Sequence, residues 1–164
     1  MLLFLDTEFT DAINCDLISI AMVSNCGRYE FYAERTDFER TWCNPFTQVA
    51  VLPQLGQFPA ALAARSYLCL RLRNWFGCIK EPVVMAYDSA TDWELLVDAL
   101  DGEMPPIVHG TFDLKLVQGL LTFGQAMTQA HDAQRPWHHA LFDVRAQREG
   151  WLALRAAGEA PALG

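Results

Sequence analysis

Leu2-Leu3-Phe4-Leu5-Asp6-Thr7-Glu8-Phe9 opens the chain with four apolar residues and then sets two carboxylates within three positions. A short apolar run without polar interruption is expected of a strand buried on both faces of a sheet. Side chains alternate along a strand, so Asp6 and Glu8 point to one side, roughly 6–7 Å apart at a rise of ~3.3 Å per residue. Two carboxylates there repel one another and resist leaving water, a cost that bound cations remove. Hard oxygen donors favour Mg²⁺ or Mn²⁺. The Asp-x-Glu spacing alone carries no weight, because it recurs at Asp37/Glu39, Asp92/Glu94 and Asp101/Glu103. Only the first copy ends an apolar strand.

Working outward, residues 17–23 form a second apolar strand, Asn25-Cys26-Gly27-Arg28 a tight turn, and residues 29–33 a returning strand. Three strands so close in sequence predict an antiparallel meander. Asn44-Pro45 reads as a helix start, with Asn as cap and Pro in the first turn. The apolar spacing over residues 59–76 predicts a long amphipathic helix. A strand over 82–87, a helix over 91–100, a short strand over 106–109 and a final helix over 138–157 complete the pattern; within the least legible stretch, 111–130, a helix is expected near 114–123. The order predicts an α/β protein, one domain over residues 1–164, with a mixed β-sheet (antiparallel three-strand meander plus parallel strands) flanked by α-helices.

At 164 residues and 52% hydrophobic content, the chain is sufficient for one domain with a full core. The start lacks a basic stretch and meets acids at once, so it predicts a strand rather than a secretion signal. No apolar run approaches the ~18–20 residues needed to span a bilayer. A cytoplasmic protein without membrane association is expected. The five cysteines form no Cys-x-x-Cys pair, which predicts free thiols and argues against a cysteine zinc site. A formal charge of −8 excludes a protein that coats nucleic acid with its whole surface. It leaves room for an enzyme acting on a nucleic-acid end, because two bound divalent cations would halve that charge where phosphate arrives. Arg135, Arg145, Arg148 and Arg155 gather in the last thirty residues.

Two further segments carry carboxylates. Asp88 and Asp92 lie in the loop and first helical turn beyond the fourth strand, where Asp92 would also satisfy a helix N-terminus. His138-His139-Ala140-Leu141-Phe142-Asp143 sets two histidines before a helix and an aspartate in its opening turns. Helical spacing alone favours His139, four residues before Asp143 and on its face.

Together, Asp6-Thr7-Glu8, Asp92-Trp93-Glu94-Leu95-Leu96 and His138-His139-Ala140-Leu141-Phe142-Asp143 resemble, in order, the three motifs of the DEDDh group of 3′→5′ exonucleases. That group has a ribonuclease-H-like fold. Phe4-Leu5-Asp6-Thr7-Glu8-Phe9, Asp16-Leu17-Ile18-Ser19-Ile20 and Tyr29-Glu30-Phe31-Tyr32-Ala33 are similar, more narrowly, to a small mycobacterial-type family of bacterial exoribonucleases. The resemblance covers nearly the whole chain. It implies a metal-dependent 3′→5′ exoribonuclease that releases nucleoside 5′-monophosphates, with Asp6, Glu8, Asp92 and Asp143 holding two Mg²⁺ or Mn²⁺ ions roughly 3.5–4 Å apart. It puts the general base at His138 and makes His139 a neighbour. RNA ends, including 3′ overhangs, are the implied substrate, and a homodimer the implied assembly; the apolar segments Thr41-Trp42 and 67–76 are candidates for either ordinary core or a dimer surface. Thr7, Phe9, Asp88, His139, Arg145 and Arg148 are candidates for substrate contact, Phe9 by stacking on a base. Asp88 departs from the Asn common in the group, which adds a carboxylate to compete for the metals or bind the substrate end, and Val144 departs from a small Ala. The alternatives are a nuclease for DNA or short oligonucleotides, and a non-catalytic module of the same fold that binds RNA ends.

Overall fold

The structure, a computed structural model, describes residues 1–132 and 134–162. Leu2 to Leu5 are wholly buried, and the strand they begin, β1 (Leu2–Phe9), lies inside a sheet. All eight residues of β2 (Leu17–Ser24) are buried as well. A turn through Gly27, at φ 74°, leads to β3 (Glu30–Arg35). The β1–β2 and β2–β3 pairs are antiparallel, as the expected meander requires.

Beyond β3, Asn44 Oδ1 accepts the Thr47 N–H at 2.8 Å, as an N-cap does. The turn it starts widens into a π-helix over Thr47–Val51. The expected helix over 59–76 begins later. Pro59–Ala61 form one tight turn, and Leu62–Ala63 make a two-residue strand, β4, parallel to β3 at the sheet edge. Pairing with Glu34 and Arg35 holds these residues extended, so α1 runs from Arg65 to Cys78. It is followed by β5 (Val83–Tyr87), α2 (Ala90–Ala99) and β6 (Val108–Asp113), which is longer than its expected four residues. Residues 114–123 do not form one helix: α3 (Lys115–Gln118) stops at Gly119, and α4 (Leu121–Ala130) follows. The last helix, α5 (Ala140–Ala157), starts two residues late because His138 has φ 65° and His139 is extended. Gly158, left-handed at φ 74°, ends it.

The result is an α/β protein with a six-stranded mixed sheet in the order β4-β3-β2-β1-β5-β6, parallel from β1 through β5 to β6. Leu3 and Leu5 face one core with Leu68 and Leu72 of α1 and Leu96 of α2. Leu2 and Phe4 face the other, with Phe123 of α4 and Leu141 and Trp151 of α5. Helices therefore cover both faces of the sheet. A Cβ at Gly150 would lie 2.8 Å from Phe123 Cδ2, so only glycine lets α5 approach α4 this closely. Of the candidate dimer surface, Trp42, Tyr67 and Leu70 are exposed, whereas Leu68, Leu72 and Phe76 belong to the core. All five cysteines are free. Among the described residues no helix is long and apolar enough to cross a membrane.

Candidate metal centre

The alternation of β1 decides which side chains meet. Leu2 and Phe4 pack toward α5, and Asp6 and Glu8 continue the same side of the strand to the N-terminal end of that helix. Asp143, in the opening turns of α5, comes to them there. Thr7 points to the opposite face, toward α2, and its hydroxyl donates to Asp92 Oδ1 at 2.7 Å while its N–H donates to the same oxygen at 3.2 Å. Asp92 lies in the first turn of α2, capped by Ser89, whose hydroxyl accepts the Thr91 N–H. Asp88 sits between the end of β5 and that cap.

Asp6, Glu8 and Asp143 can each offer an oxygen within 4.8 Å of the others, and so can Asp6, Asp88 and Asp92. Asp6 belongs to both groups. Together they line a pocket of about 310 Å³ whose rim includes Phe9, Met127, Trp137, His138 and Gln147.

These acids are unlike surface carboxylates. Burial pushes Asp6 well above the usual carboxylate range, and the charges of Asp92, Asp143, Glu8 and Asp88 push it further. Glu8 is raised to about 8 by burial and then by Asp143 and Asp92. Asp92 rises to about 7 through burial, although the Thr7 hydrogen bonds oppose the shift. Asp143 also rises to about 7, again through burial, against the His138 and His139 backbone donors. The His139 N–H reaches Asp143 Oδ2 at 3.0 Å.

Two oxygens, Asp92 Oδ2 and Asp143 Oδ1, are buried with no hydrogen-bond partner. Buried acceptors are nearly always satisfied. Asp143 Oδ1 does lie 3.3 Å from His131 Nε2, but neither atom is hydrogen-bonded. The His131 Nδ1 contact at 3.0 Å is with the Arg135 carbonyl, which can only accept, so the ring proton sits on Nδ1. Orphaned oxygens and an all-oxygen set of like-charged acids fit a pair of hard divalent cations, with Asp6, Glu8, Asp88, Asp92 and Asp143 to hold them.

The structure thus brings Asp6, Glu8, Asp92, Asp143 and His138 into one pocket, with Thr7, Phe9 and Asp88. His138 is exposed at the rim, against the edge of Phe46 at 4.8 Å. His139, which helical spacing favours, is not in the pocket. It precedes the helix and turns into the core, 2% exposed, stacked on Phe142 at 4.3 Å and Tyr32 at 5.0 Å. Burial lowers its pKa to about 4. Nor does the structure bring Arg145 and Arg148 to the acids: Arg145 grips Glu30 through two bonds of 2.7 and 2.8 Å, and Arg148 pairs with Glu149 at 2.7 Å. Both line a separate pocket.

Three aromatic or imidazole neighbours have no motif to mark them. Trp137, 44% exposed, stacks on His131 at 3.7 Å, and its carbonyl accepts from Gln54 Nε2. Phe46, 55% exposed, abuts His138 from a remote segment. His131 itself precedes a loop without periodicity; Trp137 alone had a signal, its place beside His138. Trp137 thus places an exposed aromatic ring at the acid pocket. No protein-family model matches the chain, and no curated protein matches it.

Proposed function

We propose that the chain is a metal-dependent 3′→5′ exoribonuclease of ribonuclease-H-like fold, releasing nucleoside 5′-monophosphates. The observation that carries this reading is the meeting of Asp6, Glu8, Asp92 and Asp143 in one pocket, two of them with buried unpartnered oxygens. The central β1, the antiparallel β1–β2–β3 meander and the parallel β1–β5–β6 half support the fold assignment. Bound there, two divalent cations would neutralise the acids, activate a water and stabilise charge on the scissile phosphodiester. The chain's own side chains do the rest. Thr7 fixes Asp92, and the His139 N–H fixes Asp143, so neither carboxylate must be reoriented when substrate arrives. A ring nitrogen of His138, at the rim, accepts the proton of the attacking water. Trp137, Phe46 and Phe9 offer faces for the terminal base, a contact worth ~1–3 kcal/mol per base.

The test is a time course on RNA with a labelled 5′ end and a free 3′ hydroxyl, in Mn²⁺ and in chelator, beside a matched DNA. The expected result is stepwise shortening from the 3′ end in Mn²⁺ alone, faster on RNA. Intact RNA in Mn²⁺ removes the nuclease reading. Faster loss of DNA keeps the chemistry and moves the substrate.

A further inference from the structure

The sequence reading leaves Asp88 two roles, competing for the metals or contacting the substrate end, and its surroundings favour the first. It is half-buried, follows β5 directly, and offers an oxygen within 4.8 Å of oxygens from Asp6 and Asp92. Ion pairs among the described residues engage other acids and leave Asp88, Asp6, Glu8 and Asp92 without a cation. Its neighbour Asp92 is 2% exposed; Thr7 occupies one of its oxygens twice, and the other has no partner. A buried carboxylate oxygen left without a donor is suited to a positive ligand.

Asp88 is also aimed. The Gln118 amide, at the end of α3, donates Nε2–H to Asp88 Oδ2, and among the described residues no side chain donates to Oδ1. An amide that grips one oxygen of a carboxylate fixes where the second points, as outer partners do around metal ligands. A residue meant to sample substrate ends would not need this clamp. We propose that Asp88 is a metal ligand, oriented by Gln118, and that it makes the Asp6–Asp88–Asp92 position a three-carboxylate site for one divalent cation. Gln118 is then a positioning residue. The inference rests on the nuclease reading for the existence of the metal pair and adds who holds the second ion.

A third carboxylate has a readable consequence. Extra ligand charge strengthens binding of a hard cation, so this position fills at lower metal concentration than a two-carboxylate site would.

The experiment is calorimetric titration of the metal-free protein with Mn²⁺ at pH 8, with no nucleic acid present. Wild-type protein is expected to take up two ions. Asp88→Asn, which keeps the shape and an oxygen for Gln118, weakens one of them by at least ~10-fold and leaves the other unchanged; Asp88→Glu recovers part of the loss. Gln118→Ala weakens the same ion by the ~10–100-fold typical of an outer partner, and serves if Asp88→Asn fails to fold. Two ions with unchanged affinities in both Asp88→Asn and Gln118→Ala overturn the Asp88 assignment and leave the nuclease reading standing. A wild-type protein that takes up no Mn²⁺ overturns both.

Discussion

The two faces of α5 carry charge in opposite ways. Asp143 and Gln147 face the acid pocket, while Arg145, Arg148 and Glu149, about half a turn away around the helix, face a larger one of about 700 Å³. On the arginine side every cation named has an anion: Glu30 for Arg145, Glu149 for Arg148 and Asp132 for Arg135. These pairs are partly exposed, where such contacts are worth ~0–1 kcal/mol. On the acid side, carboxylates from β1, α2 and α5 face one another and are pushed toward the protonated state, and among the described residues no Lys or Arg pairs with them. Paired, exposed charge makes a surface. Unpaired, buried charge makes a site, because folding has accepted a cost that near and above neutral pH a bound cation relieves.

The comparison breaks first at the acids. Asp6→Asn and Asp143→Asn are each expected to cost more than the ~100-fold that losing an outer-shell partner can cost, so that Mn²⁺-dependent nucleotide release drops to background. Rates within threefold of wild type contradict the account. Next comes the histidine pair. His138→Ala should lose ~10²–10⁴-fold in rate while binding Mn²⁺ normally. His139→Ala should instead lose ~0.5–3 kcal/mol of stability, the ordinary cost of emptying a core position, measured by urea unfolding. The reverse assignment of the two losses would mean that the wrong imidazole faces the water.

The acids also set a pH dependence. Their folded pKa values lie above their unfolded ones, about 7 for Asp92 and Asp143 against 3.8, and about 8 for Glu8 against 4.5. Between those limits the native chain binds more protons than the unfolded chain, so stability falls as pH rises. The metal-free protein should therefore show a lower urea midpoint at pH 8 than at pH 5. Mn²⁺ at a hundred times its dissociation constant should return ~2.7 kcal/mol per bound ion at pH 8. A midpoint that climbs over this range, or ignores Mn²⁺, contradicts the strain ascribed to the pocket. The smallest effect belongs to the arginine face. Arg145→Ala, freeing Glu30, should cost at most ~1 kcal/mol and leave the rate unchanged; a tenfold fall in rate would make that face part of the substrate path.

Legibility in the sequence followed the same divide between strong local rules and long-range placement. β1 and β2 were readable because burial on both faces leaves an unbroken apolar run, and alternation alone puts Asp6 and Glu8 on one side. Residues 59–64 were not, because Leu62 and Ala63 are held extended by β3 rather than by any preference of their own. Within 111–130, a helix is expected over 114–123, but its break at Gly119, which ends α3 at the Gln118 that reaches Asp88, has no local signal strong enough to place it. His139 was favoured by spacing that applies only inside a helix, and the left-handed backbone of His138 starts that helix beyond both histidines. Arg145 and Arg148 sit close to Asp143 in sequence, but one residue along a helix turns by ~100°. Phe46 and His131 come against the pocket residues His138 and Asp143 by tertiary folding alone.

The central claim is that buried acids converge to hold paired divalent cations, and diffraction from crystals soaked in Mn²⁺ at pH 8 tests it most directly. The account expects two anomalous peaks in the pocket, both in contact with Asp6, one beside Glu8 and Asp143 and the other beside Asp88 and Asp92. A pocket without a peak, its carboxylates turned to solvent or to one another, contradicts it.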